Sequence, residues 1–216
     1  MTAGRLEAFS DGVFAIAVTL LILNVQLPGG EPSQLAQDLI RLWPKYATYA
    51  ASFITIGIMW LNHHSLFSRV AGIDRPLVLL NLLLLMIVAF VPFPTEVLGT
   101  HLSDAGAHTA ALFYALCAIA VAVSFSAVYL YVALHPQLIE SRFSGTDFMA
   151  AVPWFSLGLA AYAVAAIASF FSPVLVIAIV AGTAIYYAYD HLPAPNRTEA
   201  QAKNHETVGV ETPPPS

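Results

Sequence analysis

Apolar residues run along this chain in long blocks, separated by short polar breaks rich in Pro and Gly. The first block, "RLEAFSDGVFAIAVTLLIL", passes from a charged turn at Arg5, Glu7 and Asp11 directly into a continuous apolar helix pattern. Six such blocks can be drawn: about Glu7–Leu27, closed by "PGGEP"; Pro44–Phe67; Pro76–Leu98; Ala107–Leu134; Met149–Phe171; and Pro173–Tyr189. Each approaches the ~20 residues that a helix needs to cross a bilayer. The pattern therefore predicts an all-α integral membrane protein with six transmembrane helices. Pro44, Pro76, Pro153 and Pro173 stand where proline fits the first turn of a helix. Pro92 and Pro94 fall late in the third block and should kink or end it. Only "FSP" joins the last two blocks, which forces an antiparallel hairpin. The stretch from about Gly29 to Leu42 is expected to hold a short surface helix.

Composition agrees with a membrane setting. Charged residues are 10% of the 216, against about 25% in soluble domains. The mean hydropathy is +0.74. The first block is too long for the ~7–15-residue core of a signal peptide and lacks a small-residue cleavage site, so a retained spanning helix is expected. Orientation follows from the basic residues. With the N-terminus inside, Arg5, Arg69, Arg75, Arg142, Arg197 and Lys203 lie on the inner side, and Arg41 and Lys45 on the outer. That asymmetry favours cytosolic N- and C-termini. The region from 1 to 190 then forms one six-helix unit, and residues 191–216, polar and proline-rich, read as a disordered cytosolic tail. The sequon Asn196-Arg197-Thr198 in that tail is discounted for the same reason. No basic patch suggests nucleic acid. The single cysteine, Cys117, sits in an apolar run and permits no internal disulfide.

On a helical wheel, Ile16, Leu20, Leu23 and Leu27 fall within about 60° of one another, with Gly12 and Thr19 beside them. Asp11 lies on another face, near Glu7. A carboxylate is favoured early in a helix by the dipole, yet at this depth it needs a partner. The second block returns to the same side, which places Trp60, Asn62, His63 and His64 at the depth of Ser10 and Asp11. Asp74, Arg75 and Asn81 open the third block there. These groups could form a polar knot that fixes the first helix against the next two. Alternatives are interfacial anchoring, a metal site at His63-His64, or an acid/base pair of Asp11 and His63. Adjacent histidines point about 100° apart on a helix, which disfavours one shared ion, and no nucleophile motif accompanies the pair.

Arg5-x-x-x-Phe9-Ser10-Asp11-Gly12, followed by "VFAIAVTLLIL", resembles the first-helix signature of the transmembrane protein 175 potassium-channel family, and Trp60-x-x-His63 is similar as well. The resemblance covers about residues 5–190 and fits prokaryotic members with one six-helix repeat. It implies a homotetramer in which the first helix of each subunit lines a central pore, without a T-V-G-Y-G filter. By resemblance, Ile16 corresponds to the narrowest apolar ring, Leu20 and Leu23 to further rings, and Thr19 to a hydroxyl layer favouring potassium. Arg5, Phe9, Ser10, Asp11 and Gly12 correspond to the signature network, which Trp60 and His63 join. The expected function is passive, potassium-preferring cation conduction, with K+ only transiently bound, the lipid bilayer and identical subunits as partners, and no cofactor, fixed metal or enzymatic activity. The rival readings are an ion-coupled secondary transporter, a proton-permeable cation channel, a membrane-embedded enzyme and an assembly subunit. Charged groups cluster near the block ends rather than the midplane, which weighs against proton coupling.

Overall fold

A computed structural model describes residues 3–29, 32–141, 143 and 145–188. The 191–216 tail, with its sequon, lies outside the described residues. The architecture is all-helical. Helix α1 spans Ala3–Leu20 and continues as a 3-10 turn over Leu21–Asn24. Helix α2, Leu35–Arg41, is a short segment before α3, Trp43–Phe67. Then follow α4, Arg75–Phe90, α5, Pro92–His101, α6, Ala107–Leu134, α7, Gly145–Ala168, and α8, Pro173–Tyr186.

Local chemistry sets several of these boundaries. Pro44, Pro76 and Pro173 occupy first-turn positions, where a missing N–H costs nothing. Asp74 caps α4 by accepting from the Leu77 N–H at 3.0 Å. Ser172 caps α8 in the same way. Pro92 breaks the third span into α4 and α5, and Thr95 Oγ1 donates back to the Val91 carbonyl at 2.8 Å. Taken through the kink, 75–101 is one apolar stretch. With 3–24, 107–134 and 146–168 it makes four helices long and apolar enough to cross a membrane among the described residues. At 14 residues, α8 is shorter, about 21 Å.

Two expectations need adjustment. The apolar pattern carries the first helix to Leu27, but helical geometry stops at Asn24 and residues 25–29 are irregular. Pro28 biases the residue before it away from helix, and the Asn24 amide is engaged outside the helix, as described below. The fifth helix begins at Gly145, so Pro153 sits inside α7 and not in its first turn. Proline removes one ladder donor there. Nearby, the Tyr187 hydroxyl accepts from the Gly158 N–H at 2.7 Å and donates to the Trp154 carbonyl at 2.8 Å. It thereby replaces a direct i to i+4 bond of α7. A Cβ on residue 158 would lie 3.0 Å from the Tyr187 ring, so glycine makes this insertion possible.

Helix α6 is central, packing on α4, α5, α7 and α8, while α1 packs on α3 and α4. Two apolar clusters fill the interior. One, with Leu6, Phe14, Leu66, Leu77 and Tyr129, joins the beginning of α1 to the end of α3. The other, with Leu98, Ala111, Tyr114 and Val176, lies toward the opposite end and is rich in alanine. Between α3, α5 and α6, Ser52 Oγ bonds Thr95 Oγ1 at 2.8 Å and Tyr114 Oη at 2.9 Å. The loop after α3 is pinned to the loop after α6 by Ala71 N–H to Leu138 O and Glu140 N–H to Arg69 O.

Candidate functional site

Helix α1 has two faces. Leu6, Ser10, Phe14, Ala17 and Leu21 are buried at spacings of three and four. That is the stripe of one helix face. Opposite it, Ile16 and Leu23 are 60% exposed and Leu20 is 42% exposed. Thr19, Gly12 and Phe9 are exposed on this side too. A single chain thus turns its branched apolar row away from its own core. Thr19 Oγ1 donates to the Ile16 carbonyl at 2.9 Å, which spends its proton and leaves the oxygen able only to accept.

The buried face carries a directed polar chain. His63 Nε2 donates to Asn81 Oδ1 at 2.8 Å, Asn81 Nδ2 donates to Ser10 Oγ at 3.0 Å, and Ser10 donates to the Leu6 carbonyl at 2.9 Å. Ser10, His63 and Asn81 are fully buried. His63 stacks on Phe67, with ring centroids 4.3 Å apart, and tilts against Phe14 at 5.3 Å. Its Nδ1 has no hydrogen-bond partner among the described residues. Three helices, α1, α3 and α4, are therefore locked by one continuous set of hydrogen bonds.

A second pair of contacts lies at the rim. Trp60 Nε1 donates to Asp11 Oδ1 at 2.8 Å. His64 Nδ1 meets Glu7 Oε1 at 2.9 Å, and its ring stacks on Trp60. Of the residues singled out from sequence, the structure brings Ser10, Asp11, Trp60 and His63 together. Arg5 and Phe9 stand exposed on the outer face of α1, away from that chain. Gly12 has open space where a side chain would project. Asn62 turns elsewhere and donates to the Ile58 and Tyr187 carbonyls.

The sequence puts Asn81 and His64 at the depth of this knot without assigning their partners, whereas Phe14 as the ring against His63 and Glu7 as the partner of His64 come from the structure alone. The wheel held a signal for Phe14, because Ser10 and Phe14 are four apart on the face opposite the exposed row. No group of three or more His, Cys, Asp or Glu residues able to hold a metal occurs among the described residues.

Asp74, at the mouth of α4, has its carboxyl held below the usual carboxylate range, first by the Tyr131 hydroxyl donating to it at 2.6 Å and further by the Leu77 N–H. The arrangement as a whole positions a helix.

Comparison with known proteins places these features in context. Residues 5–92 match the family model described as "Endosomal/lysosomal potassium channel TMEM175". A protein from Streptomyces collinus named a potassium channel is 43% identical over 200 residues, covering 92% of this chain and 97% of the relative. The crystal structure described as a lysosomal potassium-selective channel TMEM175 homolog from Chamaesiphon minutus superposes with a TM-score of 0.77 at 39% identity, covering 86% of this chain and 96% of that one. The Gallus gallus protein named endosomal/lysosomal proton channel TMEM175 is 43% identical over 97 residues, which is 41% of this chain and 19% of the relative.

Proposed function

The chain belongs to the TMEM175 potassium-channel family, and from that premise we propose that it is a potassium-preferring cation channel built as a homotetramer of six-helix subunits. In this reading residues 1–190 form the channel unit, with α3 and α8 as the two spans beyond the four long apolar ones. The four α1 helices surround the conduction path. Ile16, Leu20 and Leu23 form its apolar rings and Thr19 its hydroxyl layer. Ser10, Asp11, Trp60 and His63 form the network at the mouth with Asn81 as its bridge, while the signature residues Arg5, Phe9 and Gly12 stand on the side of the exposed row. Both termini are cytosolic in the plasma membrane of a prokaryote, as the distribution of Lys and Arg supports.

The observation that carries the reading is the division of α1 into an anchored polar-and-aromatic face and an exposed Ile/Leu row. A row turned away from the chain's own core suits lipid or a lumen, and the resemblance of the helix that carries it to the family's first helix favours the lumen. Four copies around an axis supply it. Side-chain rings of Ile and Leu make a constriction from which water withdraws easily, and such constrictions gate by dewetting. Without a carbonyl filter, discrimination falls to the ring diameter and the Thr19 oxygens, so the potassium preference is modest. The Gallus gallus relative's name favours a second reading, in which protons pass as well.

The test is flux from liposomes. Purified protein is reconstituted, and potassium, sodium and proton permeabilities are compared. Ile16→Asn raises conductance or weakens selectivity. Leu79→Asn, at a comparably exposed position on α4, leaves both unchanged. Equal effects at the two positions would remove α1 from the pore.

A further inference from the structure

Helix α1 does not end as it began. After Leu20 it tightens into a 3-10 turn, Leu21–Asn24, in the very segment that carries Leu23. The two geometries place side chains differently. A 3-10 helix advances ~120° and ~2.0 Å per residue, against ~100° and ~1.5 Å in an α-helix. Three residues on from Leu20, Leu23 is therefore turned by about 60° and lifted by about 1.5 Å relative to its position in a continuous α-helix. At Asn24 the difference in direction reaches about 80°.

Asn24 is also where this segment is tied down. Its Nδ2 donates to the Pro92 carbonyl at 2.9 Å, 68 residues away in sequence. The acceptor is backbone, located at the bend between α4 and α5 that Pro92 creates. The Thr95 hydroxyl braces that bend from α5, and Ser52 links Thr95 to α3. An Asn24 side chain turned by about 80° would not keep this bond, so the 3-10 register and the bond to Pro92 stand or fall together.

We propose that Asn24 is a positioning residue for the conduction path. By bonding the kink carbonyl it holds the outer end of α1 in the 3-10 register, and so sets where the Leu23 ring stands relative to the Leu20 ring. The α4–α5 kink thereby becomes a partner in the outer part of the pore. This rests on the reading of α1 as the pore-lining helix. Short 3-10 turns are frequent at helix C-termini; here the turn has an identified latch, the Asn24–Pro92 bond.

The experiment measures the rate at which a thiol reagent alters the current through cysteine-substituted channels in a Cys117→Ala background. Ile16→Cys tests the pore reading by itself, and Leu23→Cys reports the outer ring. Adding Asn24→Ala is expected to change the modification rate at position 23 by about fivefold or more, the shift that one net hydrogen bond produces in a two-state equilibrium, while the rate at position 16 stays within about twofold. Asn24→Leu, similar in size but without a donor, should act alike and serves where alanine prevents assembly. A silent Ile16→Cys overturns the pore reading and this proposal with it. A reactive Ile16→Cys beside an unreactive Leu23→Cys overturns the proposal alone. So does a rate at 23 indifferent to Asn24, or equal changes at 16 and 23.

Discussion

Replacing Asn81 by leucine is the sharpest probe of how α1 is held. Asn81 is fully buried and serves two partners at once, accepting from His63 at 2.8 Å and donating to Ser10 at 3.0 Å. Leucine keeps the volume and removes both functions. Ser10 loses only an acceptor role, because its proton still goes to the Leu6 carbonyl. That loss is about 1 kcal/mol, the net worth of one hydrogen bond. His63 fares worse. Its Nδ1 already lacks a partner among the described residues, so in the variant neither ring nitrogen is bonded, and a stranded buried donor costs about 1–3 kcal/mol. The sum is a destabilisation of about 2–4 kcal/mol, above the ~0.6 kcal/mol mean for hydrogen bonds between membrane helices because one substitution removes two bonds and strands a buried donor. Equilibrium unfolding in mixed micelles would read it directly. Ser10→Ala removes the bonds to Asn81 and to the Leu6 carbonyl and strands the buried Asn81 Nδ2 donor, so it should cost a comparable amount, about 2–4 kcal/mol. Adding His63→Phe to Asn81→Leu should recover about 1–2 kcal/mol, since both polar partners are then gone and Phe14 and Phe67 offer an apolar bed. An Asn81→Leu protein within about 0.5 kcal/mol of the parent, the range of an inconsequential substitution, would refute the argument. So would a double variant no more stable than the single.

Tyr131→Phe removes the donor that holds the Asp74 carboxyl low. A depressed carboxyl contributes stability above its unfolded value of about 3.8 and loses it as pH falls through the lower folded value. The variant should therefore be less stable than the parent at pH 7, with the gap closing below pH 3.8; thermal melts across pH 3–7 check this, and a gap that widens on acidification would contradict it. Gly99→Ala sets a Cβ 2.6 Å from Thr48 Oγ1 and 3.3 Å from the Lys45 Cα. The backbone neighbour cannot swing aside, so the α3–α5 contact should loosen at a cost of about 1–3 kcal/mol, seen as a lower unfolding temperature in detergent. His64→Ala breaks the Glu7 pair, half-exposed on the histidine side; it should shift stability by under ~1 kcal/mol, and less still in high salt.

Much of the plan was written linearly. Long apolar blocks with charges at their ends leave the bilayer as the only solvent that suits them, and Pro76, Pro92 and Pro173 locate helix starts and a kink by their missing N–H alone. The Ile16, Leu20, Leu23 row is likewise a property of helical pitch. Pro153 was misplaced because nothing local marks where α7 begins; the Tyr187 hydroxyl that accommodates a weakened ladder comes from α8. Asn81 could be put at the right depth but not assigned partners, because hydrogen bonds between helices depend on how each is rotated about its axis. Packing sets that rotation, and composition does not. The same holds for Asn24: a lone amide near a helix end has many possible acceptors, and only the folded arrangement brings the Pro92 carbonyl within 2.9 Å. Sequence determined the helices, their solvent and the apolar row. Tertiary structure decided which face of α1 is anchored and which is left bare, because that choice depends on contacts between residues dozens of positions apart.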